Sequence, residues 1–136
     1  MGSQDILDVV DIQGQTATFS GIVNALNFIG LEKTTNVTTT SPVAIPSTFT
    51  NQTYFISAAA SLTLSVDAPI GTKITFIASI ANANLKIIPG AGQVIKLNGS
   101  DCATSLYSAG IWAQVTLQLA TTDTWVALNN NSFSIT

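Results

Sequence analysis

The groups in the body of this sequence that could do chemistry are few. They are Asp67, Asp101 and Asp123, the single Cys102, and the aromatics Tyr54, Tyr107, Trp112 and Trp125. Two carboxylates within about 5–10 Å of one another would suffice to hydrolyse a glycosidic bond. Each of the three, however, sits in a turn-like sequence where Asp is favoured for bonding its own backbone. The chain has no histidine, so the usual general base, metal ligand and triad member is missing. Cys102 has no His to activate it and reads as a buried or bystander thiol. One cysteine also excludes an intramolecular disulfide framework and a Cys-based zinc site. Asp101 or Asp123 could offer oxygens to calcium, but no dense acidic loop supports this. Gly90-Ala91-Gly92 is followed by neither Lys-Ser/Thr nor a helix start, so it is no phosphate loop. The expectation is a protein that is not an enzyme and needs no cofactor or metal. Among the aromatics, Trp112, Trp125, Tyr54 and Tyr107 could stack on a sugar ring, Tyr54, Tyr107 and Trp125 being the candidate glycan contacts, with packing in the core or at a subunit interface as the competing reading.

Composition points the same way. Of 136 residues, 46% are hydrophobic and only 8% charged, against about 25% charged in ordinary soluble domains. A small monomer needs more charge than this on its surface, so identical subunits or a larger assembly should cover part of it. The net charge is −3, with four Lys and no Arg. No basic patch grips phosphates, which argues against nucleic acid and against anionic membrane surfaces. No apolar run reaches the roughly 18–20 residues of a membrane span, and the start lacks a secretory leader's basic residues and long apolar core.

The scaffold is most legible from Leu62 to Gly99. Runs at Leu62–Val66, Thr72–Ala78, Leu85–Ile88 and Val94–Leu97 alternate with turns at 67–71, 82–84 and 89–92. Turn chemistry at this spacing between β-branched runs signals an all-β sandwich or barrel. Gln52–Ser57 predicts another strand. The outer face of Thr72–Ile80 (Lys73, Thr75, Ile77, Ser79) is less polar than solvent would ask for. From Ile111 to Leu119, the residues Ile111, Ala113, Val115, Leu117 and Leu119 face one way, and Trp112, Gln114, Thr116 and Gln118 the other. A turn at 121–123 leads to a strand at 125–128, and 133–136 adds a last short one. Residues 99–110 read as a loop, 129–131 as a turn, and 35–50, with Pro42 and Pro46, as a linker or edge segment. The count is seven to nine strands. The predicted architecture is a single antiparallel β-sandwich, jelly-roll-like, over residues 35–136.

Residues 1–34 form a different segment, an extended arm. Ile6, Leu7 and Val10 could line one side of a short helix, and the run from Thr16 to Phe28 then alternates like a strand. So short a segment cannot bury its own apolar side chains and needs a partner.

Leu62-Thr-Leu with Ala68-Pro69 and Gly71-Thr72-Lys-Ile-Thr-Phe, Leu85-Lys-Ile-Ile-Pro with Gly92-Gln-Val-Ile, and Val115-Thr-Leu with Thr124-Trp125-Val126 together form a pattern. It resembles the terminal β-domains of bacteriophage fibre, head-fibre and capsid-decoration proteins, in which a hairpin leads to further strands and a closing Trp-Val strand. Ala68 stands where Leu is more usual. Asp11-Ile-Gln-Gly-Gln-Thr-Ala-Thr-Phe-Ser-Gly21 is similar to units of trimeric fibre shafts. The resemblance implies a non-enzymatic homotrimer on the virion, a capsid decoration (cement) protein or short head fibre. It implies that the arm, through Ile6, Leu7, Val10, Phe19, Ile22 and Phe28, contacts the major capsid protein or another virion protein. Trp112, Gln114, Thr116 and Gln118 would then meet neighbouring subunits. The second reading is a lectin-like module that binds a host-surface glycan. A hydrolase is disfavoured by the missing His and unpaired acids.

Overall fold

Alternation of β-branched or aromatic residues with Thr, Ser and Asn builds strands that bury one face and wet the other. The computed structural model describes residues 32–102 and 104–136, and twelve strands lie among them. They are β1 (Glu32–Val37), β2 (Val43–Ala44), β3 (Asn51–Ile56), β4 (Ser61–Thr63), β5 (Lys73–Ala78), β6 (Asn82–Ile88), β7 (Val94–Leu97), β8 (Ser100–Cys102), β9 (Leu106–Ser108), β10 (Ala113–Leu119), β11 (Thr124–Asn131) and β12 (Phe133–Ile135). A seven-stranded sheet in the order β1-β3-β5-β10-β11-β7-β8 faces a five-stranded sheet in the order β12-β9-β6-β4-β2. The domain is therefore an all-β sandwich, as the turn spacing predicts. Residues 32–34 of the expected arm already belong to β1, and the rest of that segment lies outside the described residues.

The pairing differs from the antiparallel expectation. From β1 to β6 the chain crosses from one sheet to the other at every strand. Consequently β1, β3 and β5 lie parallel in the larger sheet, and β2, β4 and β6 lie parallel in the smaller one. A parallel neighbour can only be reached by a crossover. Here each crossover is a strand of the facing sheet, where α/β proteins use a helix. Leu62–Val66 and Thr72–Ala78 are accordingly not arms of one hairpin, since β4 and β5 sit in opposite sheets. Antiparallel pairing takes over where β10 docks on β5 and returns through β11, and where β9 docks on β6. Half of the ten strand pairings are parallel, so the fold is a coiled two-sheet sandwich rather than a jelly roll.

Parallel, in-register pairing stacks like positions into rows. The inward row Thr35, Tyr54, Phe76 and Val115 crosses four strands, and the Tyr54 and Phe76 rings stack with centroids 5.7 Å apart. The core also holds Leu62, Leu64, Leu85, Ile87, Ile95, Leu106, Leu117 and Trp125, all at or near zero exposure.

Gln93 ties the loops at one end of this core together. Its buried carboxamide oxygen accepts from the indole Nε1 of Trp125 at 3.0 Å and from the backbone N of Gly90 at 3.2 Å. Its amide nitrogen donates to Thr122 O at 3.2 Å and to Ser65 O at 3.5 Å. A carboxamide has two donors and two acceptor sites, and all four are used. Gly90 makes room for it: a Cβ there would lie 2.7 Å from Val66 Cγ1, 2.8 Å from Gln93 Oε1 and 2.9 Å from Leu64 O.

Gln93→Leu orphans the buried Trp125 N–H and should cost about 1–3 kcal/mol in urea unfolding. Gly90→Ala should cost a similar amount through overpacking. Because both act on one cluster, the double variant should lose less than the sum of the two. Strict additivity would contradict this account.

Candidate functional site

The outer face of the larger sheet carries three rows set by the register. The first runs Asn36, Phe55, Ile77, Gln114, Asn131. The second runs Thr34, Thr53, Thr75, Thr116, Asn129, with the Thr75 and Thr116 hydroxyls 3.0 Å apart. The third runs Glu32, Asn51, Lys73, Gln118, Val126, Lys96, Asp101. Charges gather in this third row, where Asn51 donates to Glu32 at 3.1 Å and Lys96 pairs with Asp101 at 3.1 Å across an exposed rim. A surface pair of this kind adds little stability. The first two rows are uncharged.

Gln114, Thr116 and Gln118 share this outer face, as their alternation predicts. A β-bulge in β11 opposite Thr116 and Leu117 leaves Leu128 exposed, and Asn129 Oδ1 accepts from Thr116 N at 3.1 Å to close the gap in the ladder.

Trp112 is placed differently from the other three. It precedes β10, in a turn closed by Ala113 N donating to Gly110 O at 3.3 Å, and its φ is +59°. Gly or Asn is the ordinary occupant of a third turn position with positive φ; a bulky aromatic there is an outlier. Its side chain is 64% exposed. It closes one wall of an open groove of about 350 Å³ whose other lining is Asn36, Thr38, Phe55, Ile56, Ser57, Ile77 and Ser79. Phe55 is 42% exposed, and the Ser57 and Ser79 hydroxyls make only long contacts, 3.4 Å, to Val37 O and Ile56 O. The groove is mainly apolar, uncharged and rimmed by hydroxyls and one carboxamide.

Two of the candidate glycan contacts are corrected by their burial. Trp125 has no exposed surface and Tyr54 only 1%. Neither ring can stack on a sugar, because both lie between the sheets. The Tyr54 hydroxyl donates to Gln52 Oε1 at 2.8 Å, and the Gln52 amide donates to Pro46 O and Phe49 O. Tyr107 is half-buried on the outer face of the smaller sheet, with Lys86 and Ser134 as its register neighbours. It is remote in register from the groove. Ile6, Leu7, Val10, Phe19, Ile22 and Phe28 lie outside the described residues.

The carboxylates behave as turn and rim residues. Asp123 accepts from the Thr121 and Thr124 hydroxyls at 2.6 and 3.0 Å, which hold its carboxyl below the usual range. Cys102 is buried, which pushes its thiol up against the opposing backbone bonds of Thr104 and Ser105. No cluster of His, Cys, Asp or Glu able to hold a metal occurs among the described residues.

Residue reasoning missed Phe55, Asn36, Thr38, Ser57 and Ser79. In the run Gln52–Ser57 the alternation is visible, but not which face turns inward. Ile77 did leave a trace, as the apolar residue on an otherwise polar outer face. The fold and groove together define an all-β sandwich with two uncharged rows on one sheet face and an aromatic-walled cleft at one end of it. Neither a family model nor a curated protein matches the chain.

Two measurements follow from these placements. Trp112→Asn relieves a left-handed backbone that costs about 1–2 kcal/mol, while losing contacts of a ring that is mostly in water. Urea unfolding should show stability unchanged or slightly raised; a loss above about 2 kcal/mol would make the ring a structural part. For Tyr54, burial pushes the phenol up to about 12, with a Thr35 hydrogen bond opposing. The native state favours the neutral phenol, so its stabilising contribution is complete below the ordinary value of 10.0 and is lost as pH rises from there through about 12. Tyr54→Phe should flatten that part of the stability profile.

Proposed function

We propose that the chain is a non-enzymatic structural protein of a virus particle, set on the capsid surface as a homotrimer and anchored through residues 1–34. The observation that carries this reading is the outer face of the larger sheet. Across its central strands β3, β5 and β10 it presents Asn51, Thr53, Phe55, Thr75, Ile77, Gln114, Thr116 and Gln118, with Lys73 as its one charge. Interface centres are depleted of charged residues because desolvating a charge is costly. A face rich in Thr and Gln with a single charge suits contact with copies of itself. Gln114, Thr116 and Gln118 stand on the middle strand of the larger sheet and carry the subunit contact in this reading. The resemblance of the strand and turn motifs to phage fibre and decoration domains supplies the virion context. The apolar side chains of the arm supply the attachment to a capsid protein. Repetition of one weak attachment over many subunits holds by avidity.

Light scattering on the full chain after size exclusion tests the assembly. The expected mass is three times the 14.1 kDa of one chain. Thr116→Arg, which puts a charge in the middle of the face, should give monomers with an unchanged melting temperature. A monomer for the parent chain at every concentration would overturn the trimer.

A further inference from the structure

We infer that the groove between Trp112 and Phe55 is a binding site for a neutral saccharide. The inference does not require the trimer: it gives Trp112, Phe55 and Ile77 at one end of the face to a ligand and leaves Thr116 and Gln118 to the subunit contact, with Gln114 bordering both.

Several features of the groove select that chemistry. Trp112 and Phe55 offer partly exposed rings, with Ile77 between Phe55 and the strand β10. An aromatic face is what the C–H face of a sugar ring packs on, burying apolar area without asking for charge. Asn36, Thr38, Ser57 and Ser79 surround those rings with a carboxamide and three hydroxyls, groups that both donate and accept. Sugar hydroxyls need partners of that dual kind. The Ser57 and Ser79 hydroxyls are held only at 3.4 Å from their backbone acceptors and can exchange those contacts for shorter ones. Among the described residues no Lys, Asp or Glu lines the groove, so an anionic or cationic ligand would find no countercharge in them, whereas a neutral polyol needs none. Apolar walls with a few convergent polar groups are the usual form of a small-molecule site.

The backbone of Trp112 is the independent observation. A bulky residue held at φ +59° in an exposed turn gains nothing for the fold that Gly or Asn would not give. Strain of this kind concentrates at functional positions, where the surroundings hold the side chain in a required place. The turn points the indole along the groove wall. The first row then continues from Ile77 to Gln114 and Asn131, and Gln114 with Asn129, Asn130 and Asn131 lines a second depression. A saccharide longer than the groove would meet this run of carboxamides next, across strands about 4.8 Å apart. The site is therefore suited to a chain of several sugar rings lying across the strands, anchored on Trp112.

The test is an array of neutral oligosaccharides built from glucose, galactose, mannose and N-acetylhexosamines, beside sialylated and sulfated ones, probed with the full chain. Binding to one or more neutral members is expected. Trp112→Ala and Phe55→Ala should each weaken it about tenfold or more, while Ile70→Ala, an exposed aliphatic in a different loop, should leave it unchanged. Titrating the preferred free oligosaccharide should shift the fluorescence of the parent chain but not of Trp112→Phe, since Trp125 is buried. Capture of immobilised glycans without response to the free sugar would count against a groove that holds the saccharide and would overturn the site. Binding to acidic glycans alone, no binding anywhere on the array, or equal binding by Trp112→Ala would each overturn the site. Scattering of the same samples reports the oligomer separately, so a failed trimer and a failed glycan site are told apart.

Discussion

The domain depends on one satisfied carboxamide. Gln93 is buried where three stretches converge: the exit from β4, the turn before β7, and the β10–β11 hairpin with its indole. A buried polar group without partners is costly, and one with every site filled fixes its neighbours in place. The same contact explains a glycine that no turn type demands at that point, since the space a Cβ would take at Gly90 belongs to Gln93 and Val66. It also explains why Trp125 is not a surface residue. Its one polar atom has a partner inside the molecule, so the whole ring can leave water.

Periodicity in the sequence reports which side chains share a face, and for β5, β6 and β10 it places the faces well. It does not report what lies beside a strand. Alternation of Ile74, Phe76 and Ala78 reads alike whether the neighbour runs parallel or antiparallel, and here β3 and β10 flank β5 in opposite senses. The parallel coil from β1 to β6 was therefore hidden, although its strands were in part visible. Very short strands were hidden for another reason. β2, β8 and β9 are two or three residues long, too short for a period to show, and they fall in stretches that read as linker or loop. Asn129–Asn131 reads as a turn but continues β11, because the Asn129 side chain replaces a ladder bond lost at the bulge. Tertiary context outweighs residue preference at that point.

The groove shows the same division. Trp112 stands out by type, but the alternation of β10 stops short of it: Ile111, inward by that pattern, is exposed as well. Its positive φ is not legible either, since it arises from a turn that no Gly or Asn announces. Phe55 was passed over because its neighbour Tyr54 is equally aromatic, and only the packed sheet decides which of the two faces solvent. A one-residue shift of inward face exchanges core and surface along a whole strand. Tyr54 and Trp125 have the residue types of glycan contacts but lie on the inward side of their strands.

The parallel coil has a consequence for how such a molecule can change in size. Successive strands of the larger sheet begin at Glu32, Asn51 and Lys73, so each coil is a self-similar unit of about twenty residues that touches chiefly its neighbours. A unit duplicated at the β1 end would widen both sheets together, rung by rung, while leaving the Gln93 corner and the closing hairpin untouched. Width across the strands is thus a quantity that mutation could adjust in fixed steps of about 4.8 Å, and with it the reach of whatever lies across that face.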